Sequence, residues 1–317
     1  MPSKKTFSFQ NEPGKRLIRP LQQSHANPEN RNPQISIITP FYNSGANFEQ
    51  TYHCVMNQTF SDFEWIIVND GSTKQEDIQK LYRLAETDDR IFVLTQENGG
   101  QSKAKNHGIQ NSKAEIIVFL DADDLIEDFY LEILYEALKK HPKASWSYTD
   151  LVGFGAWEYM WVKPFCAGRM TFNNTLVNAA AFRRSALDKV DGFTEVYKHY
   201  DEDWALYLKL LKAKCHPVHV PIIGFWYRRS DTGMQQTVRK NDELRKESDE
   251  YMEKLAASVD IKIKGEEYTG ALPTQAHKTS YSLKERILAY VMSNKLGLRL
   301  IRNRYKNRDK TPERCGK

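Results

Sequence analysis

The chain has 317 residues, 40% of them apolar and 27% charged, with a formal net charge of +5. This suits a globular protein of one large domain plus an extension, or two domains; the mild charge implies no nucleic-acid partner. No window approaches the ~20 apolar residues of a membrane-spanning helix, and Cys54, Cys166, Cys215 and Cys315 form neither a C-x-x-C pair nor a metal-ligand spacing with histidine, so reduced thiols in a cytoplasmic setting are expected.

Residues 1–33 are rich in Asn, Gln, Pro, Ser and charge, and read as a flexible arm without the apolar core of a signal peptide. Gln34 to Thr39 carries a first apolar strand, stopped by Pro40. Helical spacing follows over Phe48 to Asn57. Phe63 to Asn69 is a second strand, ending in Asp70-Gly71-Ser72. A helix is predicted from Gln75 to Glu86, a third strand over Ile91 to Thr95, a turn at Asn98-Gly99-Gly100 and a helix over Ser102 to Gln110.

The next stretch, Ala114 to Asp124, reads A-E-I-I-V-F-L-D-A-D-D. Its apolar run lacks polar alternation and is short for a helix, so it reads as a strand buried on both faces. Asp121, Asp123 and Asp124 crowd its end. Carboxylates so placed repel one another unless something positive sits among them, and hard cations such as Mg²⁺ or Mn²⁺ take such oxygens together with substrate phosphates. Asp121 and Asp123 are the expected metal pair. Asp124 is expected to cap the following helix, Glu127 to Lys140. The alternation of strands and helices predicts an α/β, doubly wound, mostly parallel sheet with flanking helices. Thr39 to Tyr42, Asp70 to Ser72, the Gly99-Gly100 turn and Asp121 to Asp123 would then share one rim, a binding cleft. There is no G-x-G-x-x-G after the first strand and no G-x-x-x-x-G-K-[ST], so neither a dinucleotide fold nor a P-loop is indicated.

T-P-F-Y-N, V-N-D-G-S, N-G-G-Q-S-K-A-K-N-H-G and F-L-D-A-D-D, in that order and followed by an acidic pair near residue 200, resemble the family 2 glycosyltransferases with the GT-A fold. The resemblance covers about Gln34 to Met234. It implies a GT-A domain over 34–235; beyond the resemblance, residues 236–317 read as a helical basic extension. It also implies an inverting, metal-dependent transferase, using Mn²⁺ or Mg²⁺, that takes a sugar from a nucleotide-diphosphate donor. A UDP-sugar is expected first, with a saccharide or lipid-linked acceptor and a place in polysaccharide or glycolipid synthesis.

On this resemblance Thr39, Pro40 and Tyr42 line the base and ribose pocket, and Asp70 accepts a hydrogen bond from the nucleobase. A carboxylate can accept from the imide N–H of uracil or from guanine, whereas Asp70 as a plain turn residue is the structural alternative. Gly100 and the helix after it offer backbone N–H groups, and Lys105, often Arg in the family, would contact the diphosphate as a point charge. Lys103 fits a solvated helix face equally well. Asp123 is implied as the direct metal ligand, with Asp121 facing the ribose or the metal through water.

Beyond the strand lies an aromatic stretch from Trp146 to Phe165. It could wall an acceptor site, although core packing accounts better for most of it. Asp191-Gly192-Phe193 reads as a tight turn. His199 to Trp204 opens a helix running to Lys212, and the resemblance gives Asp203 the role of base, with Glu202 second; Asp201 reads simply as the helix cap. Phe225 to Asp231 resembles the family's closing segment, but Ser230 stands where many members have His. Arg228 or Arg229 would then compensate at the diphosphate, with Asp231 as a substitute ligand.

Lys240 to Ala257 has a charged helical pattern. From Tyr281 onward there are eleven Lys and Arg against three Asp and Glu, so the tail carries +8 and the rest −3. Residues 282–306 read as a basic amphipathic helix that either lies on a membrane surface or docks on the catalytic domain. The expected location is therefore cytoplasmic, with peripheral contact to the inner face of the cell membrane. Two other readings are a sugar nucleotidyltransferase, which would show a Gly-rich basic loop after the first strand, and a non-catalytic nucleotide-sugar-binding relative, which would not need all three acidic sites.

Overall fold

Four apolar runs form the parallel core of the sheet. A computed structural model describes residues 32–156, 158–161, 165, 167–171, 174–176, 178–195, 201–230, 242–259 and 268–269. In chain order it gives β1 (Ile35–Phe41), α1 (Gly45–Met56), β2 (Phe63–Asp70), α2 (Gln75–Thr87), β3 (Ile91–Gln96), α3 (Gln101–Asn111) and β4 (Ile116–Phe119). These are followed by β5 (Leu125–Ile126), α4 (Tyr130–Lys140), β6 (Trp146–Gly155), β7 (Tyr159–Trp161) and α5 (Ala167–Met170). Then come β8 (Ala181–Arg183), α6 (Arg184–Asp188), α7 (Glu202–Lys212), β9 (Pro217–Arg229), α8 (Asp242–Ala257) and β10 (Tyr268–Thr269).

The sheet order is β10-β9-β6-β8-β4-β1-β2-β3. Strands β1 to β4 run parallel; β8 is antiparallel to both β4 and β6, and β9 runs parallel to β6. Successive strand residues face opposite sides. Ile35, Ile37, Trp65, Ile67, Ile116 and Val118 thus join one core with α1 and α4. Ile38, Ile117, Phe119, Trp146 and Phe182 join the other with α7. Both faces of β1, β2 and β4 are covered, which is why these strands read as unbroken apolar runs, whereas the edge strand β3 is partly exposed. The chain winds outward from β1 towards β3 on one side and passes to β4 on the other. The carboxyl ends of the strands beside such a switch, here between β1 and β4, are where open α/β sheets bind ligands.

Three expectations are corrected. Pro40 does not stop β1, which continues to Phe41. Pairing with β4 reaches only Ile38, so beyond it β1 is an edge on that side and tolerates proline. The helix expected at Glu127 begins at Tyr130, because Leu125 and Ile126 pair with Phe225 and Trp226 of β9. Asp124 caps no helix: it is buried and its Oδ1 accepts the backbone N–H of Arg228 at 2.7 Å. The aromatic stretch follows the packing alternative where it is described, with Trp146, Tyr148, Phe154 and Phe165 buried in the two cores. Residues 282–306, the arm of residues 1–33, Asp231 and the 235/236 boundary lie wholly or partly outside the described residues.

Candidate active site

The rim holds four loops, each fixed by side chains of its neighbour. After β1, Asn43 takes a left-handed φ of 52° and ties its loop to the one after β2. Its Oδ1 accepts from Thr73 N at 2.9 Å and Lys74 N at 3.1 Å, and its own N–H donates to Ser72 Oγ at 3.0 Å. Asn is among the residues that tolerate this conformation, so the signal was present in T-P-F-Y-N and was not read. Pro40 is buried, Tyr42 is 48% exposed at the rim, and Thr39 turns its hydroxyl to the core, accepting from Trp65 Nε1 at 2.9 Å.

Asp70 closes β2 and organises the Gly99-Gly100 turn. Its Oδ1 accepts from Gly99 N at 2.7 Å and Gln96 Nε2 at 2.8 Å, and its Oδ2 accepts from Gly100 N at 2.9 Å. Gly100 adopts a φ of 88°, a region that glycine enters without a Cβ penalty, and α3 starts directly after it. Helix α3 then lies close on β1, because a Cβ at Gly108 would stand 2.4 Å from Ile38 Cγ2.

This placement puts Lys105 inside the protein, fully buried, while Lys103 is exposed as a solvated helix residue would be. The Lys105 ammonium donates to Glu202 Oε1 at 3.0 Å and to Gln101 Oε1 at 3.1 Å, and lies 3.7 Å from Asp121 Oδ1. Burial alone would lower its pKa, but Asp121 and Glu202 together raise it, so the charge is retained. Two acidic motifs eighty residues apart in sequence thus meet at one nitrogen.

Asp121 and Asp123 lie at the end of β4, both partly accessible. Burial, and then the charge of Asp121, push the Asp123 carboxyl up to about 6. Asn178, not singled out from the sequence, reaches Asp121 Oδ1 with Nδ2 at 3.5 Å. The Asp segment is clamped from below. Thr51 Oγ1 donates to the carbonyls of Ala122 and Asp124, and Arg228 Nε donates to the Asp123 carbonyl at 2.7 Å. Arg228 also donates to Gln50 Oε1 and stacks over Phe154, while Arg229 lies over the Tyr227 ring. Arg228 therefore braces the backbone of the Asp121–Asp124 segment.

Asp201 occupies the N-cap position of α7, but its side chain makes no capping bond. Asp203 Oδ1 accepts from Trp204 N at 2.7 Å. Burial and the neighbouring Glu202 push the Asp203 carboxyl up to about 8, with Lys105 pulling the other way. The Asp191-Gly192-Phe193 turn forms as expected and is pinned by Asn106, which accepts from Phe193 N and donates to Phe193 O.

Among the described residues, no group of three His, Cys, Asp or Glu side chains is arranged to hold a metal ion. Two carboxylates remain, Asp121 and Asp123, whose mutual repulsion already lifts one of them. A hard divalent cation relieves such repulsion and can complete its shell with phosphate oxygens and water, so the donor set fits Mg²⁺ or Mn²⁺.

Residues 36–194 match the model of the family described as Glycosyl transferase family 2. The chain is 30% identical over 206 residues to the hyaluronan synthase of Pasteurella multocida, covering 62% of this chain and 20% of that one. It spans well under half the length of the curated relatives it matches. Its fold is similar to that of residues 1–349 of S. aureus TarS, solved with UDP-GlcNAc, at a TM-score of 0.56 and 19% identity, covering 64% of this chain and 61% of that one. It is also similar to the mannosyltransferase PcManGT of Pyrobaculum calidifontis, solved with GDP-Man and Mn²⁺, at 0.51 and 17%, covering 78% and 79%. At these identities the likeness is one of fold, the GT-A arrangement.

Proposed function

This chain belongs to glycosyl transferase family 2, and from that premise we propose that it is a metal-dependent, inverting glycosyltransferase. It moves a sugar from a nucleotide-diphosphate donor, a UDP-sugar first, to a hydroxyl of a saccharide or lipid-linked acceptor in polysaccharide or glycolipid synthesis. The observation that carries this reading is the meeting of Asp121 and Glu202 at the Lys105 ammonium, which sets the two acidic motifs side by side.

The donor lies along the rim. Tyr42 and Pro40 line the nucleoside side, with Thr39 behind them. Asp70 uses three lone-pair directions on the turn amides and Gln96, and Oδ2 retains one for a nucleobase N–H. The Gly100 turn and Arg228 and Arg229 border the diphosphate, and Lys105 supports Asp121 from beneath. Asp121 and Asp123 would hold the divalent cation, which when bound neutralises charge on the departing nucleotide diphosphate. The complexes of two structural relatives with UDP-GlcNAc and with GDP-Man and Mn²⁺ support this choice of ligands. Asp203, with Glu202 beside it, takes the proton from the acceptor hydroxyl as its oxygen attacks the anomeric carbon in line with the leaving group. Residues 282–306 would hold the enzyme against a membrane surface from the cytoplasmic side.

A screen of nucleotide sugars with Mn²⁺ for donor hydrolysis tests the reading. Asp123→Ala should lose metal-dependent nucleotide binding. Asp203→Asn should keep binding and lose transfer by about 10³-fold. Equal activity in parent and both variants would defeat the assignment.

A further inference from the structure

We infer that Lys105 is a positioning residue, a buried cationic strut that fixes the donor-side Asp121 against the acceptor-side Glu202 and weakens the pull of Asp121 on a metal ion. The inference rests on the transfer reading above.

An ammonium has three protons and no acceptor capacity. Lys105 has three oxygens around it, on Glu202, Gln101 and Asp121, and its nitrogen lies 5.3 Å from the centre of the Phe193 ring. A buried ammonium is tolerated only with such partners, because leaving them uncovers an unpaired charge. Reaching out to a diphosphate would break these contacts, so Lys105 acts on the donor through Asp121. Its second partner, Glu202, adjoins Asp203 in the first turn of α7. The strut therefore sets where the acidic turn of α7 stands relative to the metal carboxylates. It also places a positive charge 3.7 Å from an Asp121 oxygen, where it takes up part of the negative charge that the carboxylate would otherwise offer to a divalent cation.

The test compares the parent with Lys105→Met. Free Mn²⁺ is followed by electron paramagnetic resonance during titration of the full chain. Removing the opposing charge should tighten Mn²⁺ binding by about threefold or more. UDP affinity in saturating Mn²⁺ should stay within about threefold, while kcat for hydrolysis of the donor found in the screen should fall by about tenfold or more at little-changed KM. This combination of tighter metal and slower turnover is one that a merely structural lysine would not produce.

Mn²⁺ affinity unchanged or weakened in Lys105→Met would overturn the inference. So would a loss of about tenfold or more in UDP affinity with kcat at saturation preserved, which would mark a diphosphate contact. Should Lys105→Met fail to fold, Lys105→Met/Glu202→Gln removes the carboxylate left without its cation, and the same tightening of Mn²⁺ is expected. Failure of the transfer reading shows separately, as a parent protein that hydrolyses no nucleotide sugar, and the manganese comparison still decides the strut.

Discussion

Asp203 carries opposite demands from the fold and from the proposed reaction. Its carboxyl stands raised, to about 8, because burial and Glu202 disfavour the ionised form. A base must be ionised to accept a proton. Transfer should therefore climb as pH rises towards 8, about tenfold per unit below it, and level off above. Above the Asp123 value of about 6, donor binding at fixed Mn²⁺ should not follow that limb. The stability sign is the reverse. The folded state holds this proton more tightly than the unfolded chain, so the stabilisation is complete below the unfolded value near 4 and is lost as pH rises through about 8. Asp203→Asn removes the titration while keeping an oxygen for the Trp204 amide. It should raise the Tm at pH 8 by about 2–4 °C, on the order of 1 kcal/mol, and by less at pH 5. Thermal unfolding at both pH values checks this, and a variant less stable than the parent at pH 8 would contradict the origin assigned to the raised carboxyl.

At the level of elements, α3 connects the turn organised by Asp70 to the ammonium between the acidic motifs. Gly108 and Lys105 are three residues apart and so share a helix face. Because a Cβ at Gly108 would stand 2.4 Å from Ile38 Cγ2, a methyl there would push the helix from the sheet or force Ile38 from its rotamer. Gly108→Ala should destabilise by about 1–3 kcal/mol and lower donor turnover, through displacement of Lys105. Denaturant unfolding and the donor assay measure the two effects, and a variant of unchanged stability would show that the sheet can yield.

Elements were legible wherever a local pattern sufficed. Ile35–Thr39, Phe63–Asn69 and Ile116–Phe119 are apolar runs buried on both faces, and α7 announces itself by leucines at helical spacing. No strand after β4 was predicted, and most of β5 to β10 gain their form from partners distant in sequence. Leu125 and Ile126 pair with residues a hundred positions on, and Ala181–Arg183 is held between β4 and β6. No local period records such pairings. The same holds within the site: Asp121, Asp123 and Asp203 stand out as acidic motifs, but Asn178 is one Asn among many until the fold sets it beside Asp121. Lys105 was visible as a cation near a diphosphate. That it is buried against two carboxylates depends on the tertiary approach of α7.

Over the whole molecule, charge is unevenly divided. The last 37 residues carry +8 and the remaining 280 carry −3, so the modest overall value conceals a strongly basic end. Within that end Leu283, Ile287, Val291, Leu298, Ile301 and Tyr305 recur at helical spacing, with Lys284, Arg286, Lys295, Arg299 and Arg302 off the stripe. No helix among the described residues is long and apolar enough to cross a membrane. A segment of this composition gains about 1 kcal/mol per basic residue beside an anionic leaflet, in addition to its buried apolar area. The near-neutral catalytic part gains no such attraction. Full-length protein should thus float with vesicles containing anionic phospholipid, release as salt shortens the Debye length, and ignore purely zwitterionic vesicles. Deletion of residues 282–317 should abolish flotation while leaving donor hydrolysis intact, because the proposed donor site draws only on residues 39 to 229. An intact chain that stays with the soluble fraction in low salt would instead favour docking of this segment on the catalytic domain, and the deletion would then lower Tm rather than membrane affinity.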